Sequence, residues 1–184
     1  MHYKEVPEYF QKLTATKTLT SLALQFTILN ASRTGEVIYA MRNEVMGDVW
    51  VIPAKRMKAK REHHVPLCAK SLAIIEMAQK FDEDGESIFS KNGKGISNMT
   101  MLKLIKSHQS HLTVHGFRST FRDWVSEETT HSPEVAEMAL AHSIQNKVEA
   151  AYRRGNLLQR RRQLLMDWET YCLSGMSPQQ AHIS

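Results

Sequence analysis

Asp48-Val49-Trp50-Val51-Ile52-Pro53 and, after the stretch Ala54 to Glu62, His63-His64-Val65-Pro66-Leu67 decide the fold class. The first run is β-branched and aromatic and lies between Gly47 and Pro53; the second reads as its return strand, so together they predict one small antiparallel element. Most of the surrounding sequence has helical spacing. Leu19, Leu22, Ala23, Phe26 and Leu29 predict a helix over 17–33, with Gly35 placed to cap its C-terminus. Further helices are expected over 71–80, from the N-cap Ser97 to about 106, over 115–128 with Phe117, Phe121 and Trp124 on one face, from Ser132-Pro133-Glu134 to about 141, over 146–154, and over 157–172. Asp82 to Glu86 reads as a solvated loop and Ser90 to Gly95 as a turn-rich one. The fold class is therefore α+β, mainly α-helical with a small antiparallel β-hairpin.

The 184 residues fit one domain, taken as 1–175 with a loose tail at 176–184. Hydrophobic residues make up 42% and charged residues 23%, which excludes a disordered or fibrous chain. Lys and Arg number 24 against 19 Asp and Glu, a net charge of +5 that hints at a polyanionic partner without establishing one. Cys68 and Cys172 have no paired spacing, so a disulfide framework and a cysteine zinc finger are excluded. The stretch from Leu19 to Ala31 is too short to span a membrane, and Met1 to Glu5 has no apolar leader. The expectation is a soluble intracellular domain with no membrane partner.

Six polar residues sit beside apolar sequence, where a bare charge or ring is costly to bury: Arg33, Lys58, His115, Arg118, His142 and Tyr152. Each has an ordinary reading. Arg33 could end a helix and complement its dipole, with Glu36 holding its fork. Lys58 could belong to a solvated basic turn with Lys55, Arg56, Lys60 and Arg61. His115 and Arg118 could be surface groups at a helix start, and Tyr152 a core tyrosine beside Arg153 and Arg154. Taken together the six supply what phosphodiester transesterification needs without metal or cofactor. Arginine forks neutralise the nonbridging oxygens, a tyrosine is the nucleophile, a lysine protonates the leaving oxygen, and histidines position or exchange protons. No paired-carboxylate cluster for two metal ions is evident. A metal enzyme built from His63, His64, His108, His111 and His115 is the competing reading, and those spacings match no zinc pattern.

The pattern resembles the catalytic domain of tyrosine recombinases, the phage-type integrases. Ser32-Arg33-Thr34-Gly35-Glu36 resembles the first-arginine box, Lys58 ahead of Val65-Pro66-Leu67 the hairpin lysine, His115-Gly116-Phe117-Arg118 the His-x-x-Arg box, and Leu140-Ala141-His142 the Leu-Gly-His box, with Tyr152 where the nucleophile belongs. Trp50 to Pro66 and Asn146 to Tyr152 look most like prophage and genomic-island integrases. Two departures stand out: Ala141 replaces the usual glycine, and Tyr152 lies ten residues past His142.

The resemblance implies site-specific integration and excision of DNA through a 3′-phosphotyrosyl intermediate. Arg33, Arg118 and His142 would contact the scissile phosphate, His115 would take or relay the tyrosine proton, and Lys58 would protonate the leaving oxygen. Glu36 would orient Arg33, and Lys55, Arg56, Lys60, Arg61, Arg153 and Arg154 would bind DNA. It implies no metal and no cofactor, double-stranded attachment-site DNA as partner, a homo-tetramer on DNA for the full-length protein, a fragment that could be monomeric, and a bacterial cytoplasmic location. Family members carry N-terminal core-binding and often arm-binding domains that residues 1–16 cannot encode, so an isolated catalytic domain is expected. Two alternatives follow: a DNA-binding module with latent or lost catalysis, or type IB topoisomerase-like relaxation.

Overall fold

The computed structural model describes residues 1–142 and 157–175. Eight helices can be named there: α1 Val6–Thr14, α2 Leu19–Leu29, α3 Thr34–Ile38, α4 Ala69–Gln79, α5 Asn98–His108, α6 Gly116–Glu128, α7 Pro133–Ala139 and α8 Leu158–Leu173. A three-stranded antiparallel sheet is formed by β1 Val45–Met46, β2 Val49–Ile52 and β3 His63–Pro66, in that order, and a two-residue hairpin by β4 Ser90–Lys91 and β5 Lys94–Gly95. The α+β class, mainly helical with small antiparallel sheets, is the architecture found.

α2 is the axis of the domain. Thr18 caps it by accepting from Ser21 N at 3.2 Å. Its residues are buried almost all round, as expected of a helix apolar on every side. The polar residues on it are satisfied internally: Ser21 Oγ donates to Leu13 O at 2.6 Å, Thr27 Oγ1 to Ala23 O at 2.7 Å and Asn30 Nδ2 to Phe26 O at 2.8 Å. α1, α3, α4, α5 and α8 all pack on α2.

Two expectations about the chain's turns are corrected. Gly35 caps nothing, because it lies inside α3; α2 ends at Leu29, and Ala31 turns the chain with φ 46°. The loop at 90–95 is a hairpin, its two-residue turn made by Asn92 (φ 51°) and Gly93 (φ 73°), a pairing that suits the twist of flanking strands. Residues 6–14 also form a helix, α1, whose Val6, Tyr9, Phe10 and Leu13 recur at i, i+3, i+4 and i+7 and are buried. The helix expected over 146–154 lies outside the described residues.

The β2–β3 register pairs Trp50 with Val65 and Ile52 with His63. Trp50 and Ile52 are fully buried, so this face of the sheet packs inward, and Trp50 meets Phe26 edge-on at 5.4 Å between centroids. α8 closes the core with Leu164, Leu165, Trp168 and Cys172. The stripe of α8 therefore packs on its own domain: Trp168 lies 4.9 Å from Trp124 and 5.4 Å from Phe121, and its Nε1 donates to Ile28 O at 2.9 Å. Among the described residues no helix is long and apolar enough to cross a membrane.

Trp168→Ala is expected to cost about 3–5 kcal/mol through the cavity it leaves. Trp168→Phe, which keeps most of the apolar area and removes one of the donors to an Ile28 carbonyl that Ala31 N still holds at 3.2 Å, should cost about 0.5–1.5 kcal/mol. Urea unfolding of both variants measures the difference; equal losses would show that the apolar bulk kept by phenylalanine contributes nothing.

Candidate active site

Arg33 does not end α2. It is the extended N-cap of α3 (φ −82°, ψ 148°), so the helix-dipole reading is replaced by a capping one. Glu36, three residues on, reaches back with both oxygens: one accepts from Arg33 N at 2.8 Å, the other from Nη1 at 2.7 Å. This fork directs Nη2 toward the end of α7, where it donates to Leu140 O at 3.3 Å and Ala141 O at 3.5 Å.

Arg118 arrives at the same carbonyl from α6. Its side chain is buried; Nη1 donates to Ala31 O at 2.5 Å and Nη2 to Leu140 O at 2.5 Å. Nη2 also lies 3.2 Å from His142 Nε2. Burial pulls the Arg118 pKa down to about 10, and the nearby charge of Arg33 adds to that, with Glu36 and Glu137 opposing it. Arg118 thus remains charged at neutral pH beside a second guanidinium, an arrangement that an anion would relieve.

His142 follows Ala141, whose φ of 49° is a left-handed conformation that favours glycine. The glycine usual at this position in the Leu-Gly-His box thus has a conformational reason. The His142 ring is bonded on both sides, since its Nδ1 lies 2.6 Å from Glu137 Oε2. Glu137 in turn takes Arg122 Nε at 2.6 Å. His115 is exposed at the N-cap of α6, three residues before Arg118.

The hairpin tip divides in two. Lys55, Lys58, Lys60 and Arg61 are exposed. Arg56 is not part of that surface: its Nη1 donates to Glu36 O at 2.9 Å and its Nη2 pairs with Glu44, fastening the tip to α3 just behind the Arg33–Glu36 fork. Tyr152, Arg153 and Arg154 lie outside the described residues. Among the described residues no three His, Cys, Asp or Glu side chains gather as metal ligands.

Two further residues belong to the neighbourhood. Arg161 of α8 is buried, donates from Nη1 to His64 O at 2.7 Å, and has its pKa lowered to about 10 by burial. His63 has its pKa lowered to about 3, chiefly by burial, then by Arg161, with smaller contributions from Arg33 and Arg118 partly opposed by a bond to the Ala139 backbone. Its position was readable: on β3 it alternates with buried Val65, opposite Ile52. Arg161 gave no such signal, because it sits in the run Arg160-Arg161-Arg162 and only packing decides which member turns inward. Arg160 is exposed, and Arg162 pairs with Asp48 at 2.7 Å.

This geometry can be set beside known proteins. Prophage integrase IntA of Escherichia coli K12 is 33% identical over 156 residues, covering 81% of this chain and 38% of that protein. The integrase of enterobacteria phage P4 is 28% identical, covering 88% of this chain and 42% of its own length, and prophage integrase IntZ of Escherichia coli K12 is 29% identical with 89% and 42% covered. The chain belongs to the tyrosine recombinase family. It spans about two fifths of the length of these relatives. A lambda integrase fragment (75–356), crystallised as a dimer bound to a COC′ core site, shares the fold of this recombinase chain, with a TM-score of 0.58 over 85% of this chain and 59% of that one at 14% identity. No family model matches the chain.

The half-buried His63 of this chain gives a pH signature. A ring that titrates at about 3 when folded and near the ordinary histidine value of 6.5 when unfolded contributes stability that is whole above pH 6.5 and lost as pH falls toward 3. The slope in that window approaches about 1.4 kcal/mol per pH unit. Urea unfolding of native protein and His63→Asn at stepped pH should show the native form losing stability faster on acidification; parallel curves would refute it.

Proposed function

We propose that this chain is the strand-cutting and rejoining module of a site-specific recombinase acting on double-stranded attachment-site DNA of a prophage or genomic island. The observation that carries this is the convergence of Arg33 and Arg118 on the Leu140 carbonyl, with His142 bonded to the second of them. Two guanidiniums from distant parts of the sequence, held by backbone and by Glu36, form a preorganised seat for a phosphate whose negative charge grows in the transition state.

In this mechanism the Tyr152 oxygen attacks phosphorus, the 3′-phosphotyrosyl bond forms and the P–O5′ bond breaks. The tyrosine proton passes to His115, and Lys58 gives a proton to the departing 5′ oxygen. The phosphoester energy is kept in the covalent link, so the 5′-hydroxyl of a partner strand can reverse the step without ATP. Exposed Lys55, Lys58, Lys60 and Arg61 lie at the tip of the β2–β3 hairpin, where they can reach a duplex; Arg153 and Arg154 are proposed to extend that contact. The whole protein is proposed to work as a homo-tetramer on two duplexes in the bacterial cytoplasm.

A duplex nicked near the cleavage site traps the covalent intermediate. Native chain should form a protein–DNA adduct, Tyr152→Phe none, and Arg118→Lys should be slower by about 10²–10³, since a point charge does not replace a bidentate fork. Lys58→Ala should be slow on ordinary DNA and recover when sulfur replaces the bridging 5′ oxygen, because a thiolate leaves without a proton. Absence of an adduct with native chain would leave a DNA-binding module, and relaxation without recombinant product on a two-site substrate would indicate a topoisomerase.

A further inference from the structure

Glu137 has no place in the mechanism above, yet it stands between Arg122 and His142 at the edge of the site. Its Oε1 accepts from Arg122 Nε at 2.6 Å on α6, and its Oε2 lies 2.6 Å from His142 Nδ1. Burial would raise its pKa, but the bonds to Arg122 and His142 outweigh it and hold the carboxyl below the usual range, so it is ionised at neutral pH. Backbone geometry reinforces the contact: His142 N donates to Glu137 O at 3.0 Å, fixing the ring-bearing residue to the last turn of α7.

The other face of the ring settles which nitrogen carries the proton. Arg118 Nη2, 3.2 Å from Nε2, has only hydrogens to offer, so Nε2 must present its lone pair. The proton of the neutral ring is then on Nδ1 and is donated to Glu137, although free histidine prefers the opposite tautomer. A carboxylate behind an imidazole is a general device for fixing tautomer and direction.

We propose that Glu137 is a positioning residue: braced by Arg122, it holds the proton of His142 on Nδ1 and thereby turns Nε2 toward Arg118 and the phosphate seat. This deepens the recombinase reading and rests on it for its catalytic consequence, while its structural half stands on the free protein. Arg122 is half of the device, because its guanidinium restrains the second carboxylate oxygen and leaves the first aimed at His142.

The experiment uses the 184-residue chain labelled with ¹⁵N, in mildly alkaline buffer. Long-range ¹⁵N–¹H correlation should show a pyrrole-type Nδ1 and a pyridine-type Nε2 for His142. Glu137→Ala should return the ring toward the common Nε2–H tautomer and slow adduct formation on the nicked duplex by about 10- to 100-fold, the cost typical of removing a carboxylate that orients a histidine. Glu137→Gln, which keeps an oxygen acceptor, should hold the tautomer and recover most of the rate, and Arg122→Ala should fall between. A purely structural glutamate would lower thermal stability without moving the ring's nitrogen shifts. A native Nε2–H tautomer, a tautomer unchanged in Glu137→Ala, or an adduct rate unchanged in Glu137→Ala overturns the proposal. If Glu137→Ala does not fold, the nitrogen shifts and rates of Glu137→Gln and Arg122→Ala decide it. Lack of any adduct with native chain would sink the recombinase reading and leave the nitrogen shifts to judge Glu137 by themselves.

Discussion

A buried guanidinium organises this domain. Arg118 takes a full positive charge out of water and must be given acceptors, and it finds them in the Ala31 and Leu140 carbonyls. Those two carbonyls follow the ends of α2 and α7, so one side chain on α6 ties the neighbouring α7 to an α2 that lies far back in the sequence. Arg33 adds a second charge to the same point, and Glu36 and Glu137 are the acids that offset the pair. The fold can bear this concentration of charge because each guanidinium is anchored to backbone rather than to a freely moving partner.

The rest of the architecture serves that anchoring. α2 must be buried to fix the position of Ala31, and it is surrounded by α1, α3, α4, α5 and α8. The β2–β3 hairpin is held against the same place by Arg56, which grips Glu36 O and Glu44. One basic residue of the tip thus works as a fastener while its neighbours remain in solvent. α8 supplies the other wall, with Trp168 bonded to α2 and Arg161 inserted beside β3. His63, between Arg161 and the two site arginines, stays uncharged because a further positive charge there could not be solvated.

Much of this was legible before any coordinates. Trp50 and Ile52 alternate as a half-buried strand must, and Leu19 to Leu29 recur as a helix must, since the periods of side-chain burial are fixed by backbone geometry. The boxes around Arg33, Arg118 and His142 were visible as charges beside apolar sequence. Less visible are the turns: the sequence marks Gly35 where Ala31 makes the turn, and the Asn92-Gly93 hairpin is hidden because its strands are only two residues long. Arg56 was counted with the basic surface, since nothing local distinguishes it from Lys55 or Lys58.

Periodicity and residue chemistry are local properties, so the main helices and strands around the site, and the chemical types gathered in it, are written in the sequence. Which charges end up inside is settled by packing: Arg118 and Arg161 are buried, Arg56 faces Glu44, and Glu137 backs His142 while Arg122 backs Glu137. Several of those choices depend on partners far apart in the sequence, such as Arg118 with Ala31, 87 positions away, and Arg161 with His64, 97 away. Desolvation acts on position in space, and a charge learns whether it is buried only when the chain around it has closed.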